Sequence, residues 1–346
     1  MTIPKQDIVI TGFSVITAAG AGLEPILELI RSGRDALTPV PAEHGSGRWG
    51  KALGFKATDY IPPLKARKLD RCSQFAVAAT GLALKDAGIP RDTLPAERIG
   101  IALGCGFGGV ANSAEFLTGY FADGADGASP MLFPNTVSNA SASNASIEYG
   151  LKGPNVTQVQ RFCSTESVLM MACRFIAEGR ADIMVTGGVD DLTPLMLSGF
   201  AATGQLRRYA EHFGEGCGLL VLESAEHAAK RGATVKGRID DIRTVGLLLP
   251  GREPEGIDHL LGGCGIPDVI SLSGTARVVP EFEERIHGIP SLDTGCITGH
   301  SLAMGGVAMA VLLASLLPGQ FGLHLAASPE GPYFAIRFSG GASVQP

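Results

Sequence analysis

The sequence predicts an α/β fold, on three observations. Short β-branched runs alternate with helical stretches along the chain, beginning with the apolar run DIVITGFSV at residues 7–15. Hydrophobic residues make up 45% of the 346 residues and charged residues 18%, which is enough apolar material for a large core. The alternation starts again after residue 233, so we expect two unequal halves, 1–232 and 233–346, with no clear linker between them.

The elements of the first half follow from local signals in chain order. The segment from Ser164 to Glu178 spaces apolar residues as a helix does and ends on Gly179. The first half is predicted to contain strands at 7–15, within IGIALGCGFGG (99–109), at 182–189 and at 218–223, and helices near 22–33, 67–87, 164–178 and 224–233.

The second half repeats this alternation and contains one unusual helix. We expect strands at 235–246, 268–274 and 333–341, and helices near 255–262, 280–287 and 301–317. The stretch 301–317 carries no charge, which is close to the lower limit for a membrane span. It contains paired glycines, ends at Pro318 and lacks interfacial anchors, so it is predicted to be a core helix and not a membrane span.

Charge and cysteine content exclude several classes of function. The net charge of −6, without a run of Lys or Arg longer than two, gives no basic surface for nucleic acid. Seven cysteines are an odd number and form no Cys-x-x-Cys pair, which indicates neither a disulfide framework nor a structural zinc site. The start of the chain lacks the pattern of a signal peptide. A reducing cytoplasm is therefore the expected location.

Six segments in order resemble the β-ketoacyl-acyl-carrier-protein synthases of the thiolase superfamily. They are VITGFSVITAAG (9–20), DYIPPLKARKLDRCSQFAVAAT (59–80), PNTVSNASASNASIEYGLKGPN (134–155), RADIMVTGGVDDLTP (180–194), FGEGCGLLVLESAEHAAKRGA (213–233) and TGHSLAMGGV (298–307). The resemblance implies two similar five-stranded mixed sheets in an α-β-α-β-α sandwich, a dimer that pairs edge strands, and acyl carrier protein as a possible partner. It implies no metal and no nucleotide cofactor.

The catalytic residues of that family are mostly replaced here. Alignment from GLKGPN on one side and RFIAEGRAD on the other puts Phe162 at the position of the nucleophilic cysteine, and Cys163 is the next residue. One step along a helix turns a side chain by about 100°. Ser273 stands where the His-Gly-Thr turn has histidine, and Gly295 stands at the lysine position. His300 is the one retained catalytic side chain.

The resemblance therefore favours a catalytically silent homologue, similar to the chain-length factors that pair with an active ketosynthase in type II fatty acid, polyketide or aryl-polyene synthesis. Phe162 would fill the chain's own pocket, although chain-length factors usually carry glutamine there. Glu215 would support the site, as the family's glutamate does. The region 131–149 would face the dimer partner and its tunnel; its polar members include Asn135, Thr136, Asn139 and Asn144.

Two alternatives stay open. The chain could be a divergent synthase or acyltransferase in which Cys163 is a shifted nucleophile and His300 its base. It could also be a homodimeric scaffold without a ketosynthase partner. The acyl substrate, its length and the choice between homodimer and heterodimer are not encoded in any motif. The remaining histidines show no metal-ligand spacing and are predicted at the surface or in loops: His44, His212, His227, His259, His287 and His324.

Overall fold

A computed structural model describes residues 7–90, 95–209, 212–248 and 251–341, without the side chains of 206 and 207. Its longer strands are β1 Ile8–Thr17, β2 Ile99–Gly104, β3 Asn155–Gln158, β4 Ile183–Asp190, β5 Gly216–Ser224, β6 Gly237–Val245, β7 Val269–Gly274, β8 Ser291–Asp293, β9 Phe321–Ala327 and β10 Tyr333–Gly340. Two-residue strands lie at Gly20–Ala21, Thr38–Pro39 and Arg48–Trp49.

The longer helices alternate with these strands. They are α1 Glu24–Ser32, α2 Arg71–Asp86, α3 Val110–Asp123, α4 Ala140–Tyr149, α5 Ser164–Ala177, α6 Pro194–Ala202, α7 Ala225–Lys230, α8 Glu253–Leu261, α9 Pro280–Ile286 and α10 Gly305–Ser315. Four-residue helices lie at Pro63–Ala66, Gln205–Arg208 and Gly295–Thr298.

The labelled strands form one sheet made of two topologically equivalent halves. The order is β8-β7-β9-β10-β6-β1-β5-β4-β2-β3. In the first half, β3, β2 and β4 are parallel and β5 and β1 continue antiparallel. In the second half, β8, β7 and β9 are parallel and β10 and β6 continue antiparallel. The predicted pair of five-stranded mixed sheets is confirmed, and pairing of β1 with β6 joins the two.

Two buried helices lie between the halves and place the site. Helix α5 packs on β2 and β4 of the first half, and α10 packs on β5 and β7, one strand from each half. Helices α2 and α4 pack on the first half, and α8 and α9 pack together, with α8 against β6. The N-terminus of α5 and the segment before α10 thus both face the middle of the molecule.

The charge-free stretch forms a core helix, as predicted. Every residue of α10 from Gly305 to Leu313 is buried. A Cβ on Gly306 would lie 2.0 Å from the Gly218 carbonyl oxygen, so the glycine allows α10 to lie directly on β5. Across the described ranges, none of the helices combines the length and the apolar character that crossing a bilayer requires.

The predicted elements are all present, and several further ones were not predicted. The strands β3, β8 and β9 and the helices α3, α4 and α6 were missed. Strand β9, FGLHLAA, contains no β-branched residue, and α4, ASASNASIEY, has no apolar periodicity. Both depend on packing with neighbours distant in sequence.

Candidate functional site

Phe162 lies in the turn Arg161–Cys163 that leads into α5. Its side chain is 3% exposed and belongs to an apolar cluster with Trp49, Leu192, Phe213 and Leu302 among others. The ring of Tyr209 packs edge-on against it, with the ring centroids 5.7 Å apart. An aromatic ring therefore fills the place where the sequence predicts the family's nucleophile.

Cys163 is enclosed as well. The side chain is fully buried, and its Sγ donates a hydrogen bond to the carbonyl oxygen of Pro332 at 3.2 Å. Burial, and next the nearby charge of Glu166, raise the pKa of the Cys163 thiol well above its ordinary value. The thiol is thus protonated at neutral pH, so this environment does not favour the shifted nucleophile.

Ser273 takes part in a buried polar network that joins the two halves of the sheet. Its Oγ donates to Glu166 Oε1 at 2.7 Å and lies 3.2 Å from His324 Nε2. The same Nε2 lies 2.9 Å from Glu166 Oε1, and the other ring nitrogen lies 2.7 Å from Ser271 Oγ. Glu166, Ser271 and His324 are fully buried. The prediction that His324 lies at the surface or in a loop is wrong, because β9 is an interior strand.

One oxygen of this network has no partner. Glu166 Oε2 is buried and accepts no hydrogen bond from the described residues. Helix α10 closes the other side, since a Cβ on Gly305 would lie 2.0 Å from Oε1. Ser273, predicted from the sequence to take the place of the family's first catalytic histidine, therefore lies in a closed hydrogen-bonded cluster.

His300 lies directly against Gly295. A Cβ on Gly295 would be 2.2 Å from Nδ1 of the ring, so the glycine at the lysine position is required by this ring position. His300 is 8% exposed, and its Nε2 lies 3.2 Å from a guanidinium nitrogen of Arg277. Its backbone pairs with the segment 212–214. The His300 imidazole, predicted to be the one retained catalytic side chain, thus lies beside the guanidinium group of Arg277.

Two further metal-ligating side chains lie close to His300. Within the described ranges, one set of three metal-ligating side chains brings its donor atoms within 4.8 Å of one another: Asp293, Cys296 and His300. Sequence reasoning did not single out Asp293 or Cys296. Their spacing, Asp-x2-Cys-x3-His, is a local signal that could have identified them.

Glu215 has a dense set of donors, which fits the supporting role implied by the resemblance. The fully buried carboxylate contacts Lys51 at 2.5 Å and Arg71 at 2.8 Å. It also accepts from the backbone N–H groups of Ala52 and Leu192. Four donors from three segments of the chain therefore hold this part of the first half together.

The predicted partner-facing region combines a buried amide network with an exposed apolar surface. Asn144 donates to Asn135 Oδ1 at 3.0 Å, and Asn135 donates to the carbonyl oxygen of Lys68 at 2.8 Å. Thr136 bonds locally to the Phe133 carbonyl, and Asn139 is exposed. A cavity of about 400 Å³ opens beside this network. The exposed side chains of Met131 and Ile147 line it, and Phe133 and Val137 of the same region are also exposed.

Comparison with known proteins gives a consistent assignment. Residues 5–228 match the family described as "Beta-ketoacyl synthase, N-terminal domain". A 3-oxoacyl-[acyl-carrier-protein] synthase 2 of Staphylococcus aureus is 30% identical over 346 residues, covering 88% of this chain and 84% of that protein. The synthase 2 of Synechocystis is 29% identical, and the match covers 68% of this chain and 62% of its length. The chain thus spans under two thirds of some of these relatives.

Solved structures show the same fold. The ishigamide ketosynthase/chain length factor matches 96% of this chain and 99% of its own at a TM-score of 0.82 and 21% identity. A β-ketoacyl synthase from Burkholderia phymatum has a TM-score of 0.82 and 20% sequence identity, and the match covers 97% of this chain and 99% of that one. A type II polyketide ketosynthase solved with its acyl-carrier protein has a TM-score of 0.80 and 18% sequence identity, and the match covers 97% of this chain and 100% of that one.

Proposed function

The chain belongs to the β-ketoacyl synthase family, and on this premise we propose that it is a catalytically silent member. Its role is that of a chain-length-factor-type subunit, which pairs with an active ketosynthase in type II fatty acid, polyketide or aryl-polyene synthesis. The observation that carries the proposal is the buried ring of Phe162 at the start of α5. A thioester cannot form at a phenyl side chain, and the ring occupies the volume that an acyl group needs.

The other positions of the family's catalytic set support the same conclusion. The Ser273 hydroxyl donates a hydrogen bond to Glu166, and a hydroxyl does not replace an imidazole base. Gly295 has no side chain, and His300 faces Arg277. Positioned acid–base groups each contribute about two to four orders of magnitude to a rate, so their loss adds to the loss of the nucleophile.

The proposed pairing surface is the face formed by α4, the segment 131–137 and the edge strand β3. Strand β3 is the last strand of the first half and pairs on one side with β2. An edge strand beside exposed Met131, Phe133 and Ile147 is an arrangement that a partner subunit covers. One structural neighbour is a ketosynthase/chain length factor, and another holds a ketosynthase with its acyl-carrier protein. A dimer and an acyl carrier protein are the corresponding partners here.

The pairing is tested by co-expression with ketosynthases encoded beside this chain. We expect a heterodimer in size-exclusion chromatography with light scattering. The variant Ile147→Glu places a charge on α4, where the side chain is 78% exposed, and should abolish the heterodimer. Ile266→Glu is the matched control, because that side chain is 83% exposed and lies outside the proposed face. A homodimer that ignores every such ketosynthase would favour the scaffold and contradict the pairing.

The loss of chemistry is tested by intact-protein mass spectrometry after incubation with an acyl-carrier-protein thioester. We expect no adduct on the wild type. The variant Phe162→Cys should gain an acyl adduct at residue 162 but no condensation product, because Ser273 and Gly295 supply no base. Phe162→Ala creates the same space without a thiol and should remain unmodified.

The second candidate is a divergent synthase that uses Cys163 and His300. The names of the curated relatives, 3-oxoacyl-[acyl-carrier-protein] synthase 2, favour it. The enclosed, protonated thiol of Cys163 opposes it. An acyl adduct on Cys163 of the wild type would establish this candidate and overturn the silent subunit.

Two further parts of the proposal concern organisation and location. We divide the chain into units 1–232 and 233–346, which is supported by the equivalent strand orders on either side of this boundary. We place the protein in a reducing cytoplasm, which is supported by seven cysteines without a disulfide.

A further inference from the structure

We propose that Asp293, Cys296 and His300 form a binding site for a zinc ion. The Cys296 Sγ lies 3.3 Å from Asp293 Oδ2, and His300 Nε2 lies 3.9 Å from Asp293 Oδ1. All three donor atoms lie within 4.8 Å of one another. This inference goes beyond the proposed silent subunit and does not depend on whether the chain pairs with a ketosynthase.

Local structure brings the three side chains together. Asp293 is the last residue of β8, and Cys296 lies in the short helix Gly295–Thr298 that follows. Gly295 leaves room for the His300 ring, since a Cβ there would be 2.2 Å from Nδ1. The backbone N–H of Gly295 donates to Asp293 Oδ1 at 3.0 Å and so orients the carboxylate.

The site already attracts a cation. One guanidinium nitrogen of Arg277 lies 3.2 Å from His300 Nε2, 3.4 Å from Cys296 Sγ and 3.8 Å from Asp293 Oδ2. A zinc ion would take the position of this nitrogen. Arg277 lies in the three-residue turn Ala276–Val278 and its side chain is 32% exposed, so it can turn into solvent.

The chemistry of the donors selects zinc. Thiolate and imidazole are ligands of zinc and other transition metals, whereas magnesium and calcium prefer oxygen. Three protein ligands leave a fourth position for water. In a tetrahedral site, ligand atoms are about 3.5 Å apart, so binding requires a contraction of about 1 Å from the longest separation. Cys296 is the one exposed cysteine of the described residues, and the ion can enter from solvent there.

The test uses the full-length chain after chelation of metals, titrated with Zn²⁺ against a chromophoric competitor. We expect one tightly bound zinc ion per chain. Co²⁺ in its place should give a thiolate-to-cobalt charge-transfer band that reports on Cys296. Cys296→Ser and His300→Ala should each weaken binding by about a hundredfold or more, above the loss typical for removal of an indirect partner.

Two further variants separate this site from adventitious binding. Arg277→Gln removes the competing cation and should tighten zinc binding by about fivefold, the equivalent of one surface ion pair. His287→Ala removes an exposed histidine elsewhere and should leave the affinity unchanged. The proposal is overturned if Cys296→Ser binds zinc as tightly as the wild type, or if cobalt gives no charge-transfer band.

Discussion

Two buried glutamates, Glu215 and Glu166, lie in very different polar surroundings. Both side chains are fully buried. Glu215 contacts two cations, Lys51 and Arg71, and accepts two backbone N–H groups. Glu166 concentrates its contacts on one oxygen, which receives Ser273 and lies beside His324, while Oε2 has no partner among the described residues.

The different partners of the two glutamates indicate different parts in the molecule. Glu215 ties together segments of the first half, and its complete set of partners is what a structural carboxylate needs. Glu166 accepts a hydrogen bond from Ser273, the residue predicted from the sequence to take the place of the family's first catalytic histidine. There the residues bond to one another and close the space. The two buried carboxylates thus differ in what surrounds them: cations and backbone N–H groups at Glu215, a hydroxyl and an imidazole at Glu166.

The substitution Glu215→Gln should cause the largest loss in the free energy of unfolding. It removes the charge shared by Lys51 and Arg71, whose side chains are 19% and 29% exposed. Breaking a buried ion pair from one side costs about 3–5 kcal/mol. We expect the free energy of unfolding, measured by urea denaturation at neutral pH, to fall by about 4 kcal/mol.

Glu166→Gln is the matched control for that measurement. The amide keeps an acceptor for Ser273 and His324, and within the described ranges no lysine or arginine forms an ion pair with Glu166. Its free energy of unfolding should remain within about 1 kcal/mol of the wild type. Equal losses in the two variants would show that the two glutamates play the same structural part.

The surroundings of Glu215 also predict a pH dependence. Burial, and then the charges of Asp70, Asp190 and Glu215, raise the pKa of Asp191 to about 7. In the unfolded chain an aspartate has its ordinary pKa of about 3.9. Between these values the folded state holds the proton and the unfolded state does not. The contribution to stability is therefore complete below about pH 4 and is lost as the pH rises to about 7.

Asp191→Asn should remove this loss. We expect the variant to be more stable than the wild type by about 4 kcal/mol at about pH 8, which corresponds to the difference between the folded and unfolded pKa values, and the gain to shrink towards about pH 4. Urea unfolding at several pH values measures both. Asp182→Asn is the control with the opposite sign, because Arg98 lowers the pKa of that carboxyl. A gain that is constant across this range would contradict a buried charge as its cause.

The sequence predicts one of these two centres and not the other. Glu215 lies in FGEGCG, a contiguous motif, so the resemblance identifies it and its supporting role. The network of Glu166 and His324 joins α5 to β9, residues that are 158 positions apart. Neither side chain belongs to a local pattern, and β9 lacks the β-branched residues that indicate a buried strand. Contacts between halves of a molecule have no signature in local spacing.

The same contrast applies to the site itself. The register of Phe162, Ser273, Gly295 and His300 follows from motifs with short fixed spacing. The tight contact of His300 with Gly295 depends on how the chain turns after β8. Arg277 lies in the turn that follows another strand, β7. Its position beside His300 therefore could not be derived from the sequence motif around Ser273 or from the one around His300.

The smallest expected change in the free energy of unfolding concerns the polar network around Glu166. Ser273→Ala removes one donor from Glu166 Oε1 and leaves His324 Nε2 at 2.9 Å as the remaining partner. Loss of a buried hydrogen bond costs about 1 kcal/mol, so the free energy of unfolding should fall by about that amount. Ser32→Ala, which removes an exposed local bond to the Leu29 carbonyl oxygen, is a control in which we expect no change. A loss of several kcal/mol in Ser273→Ala would place this network on a par with Glu215, because the remaining imidazole would then be unable to compensate for the missing hydroxyl.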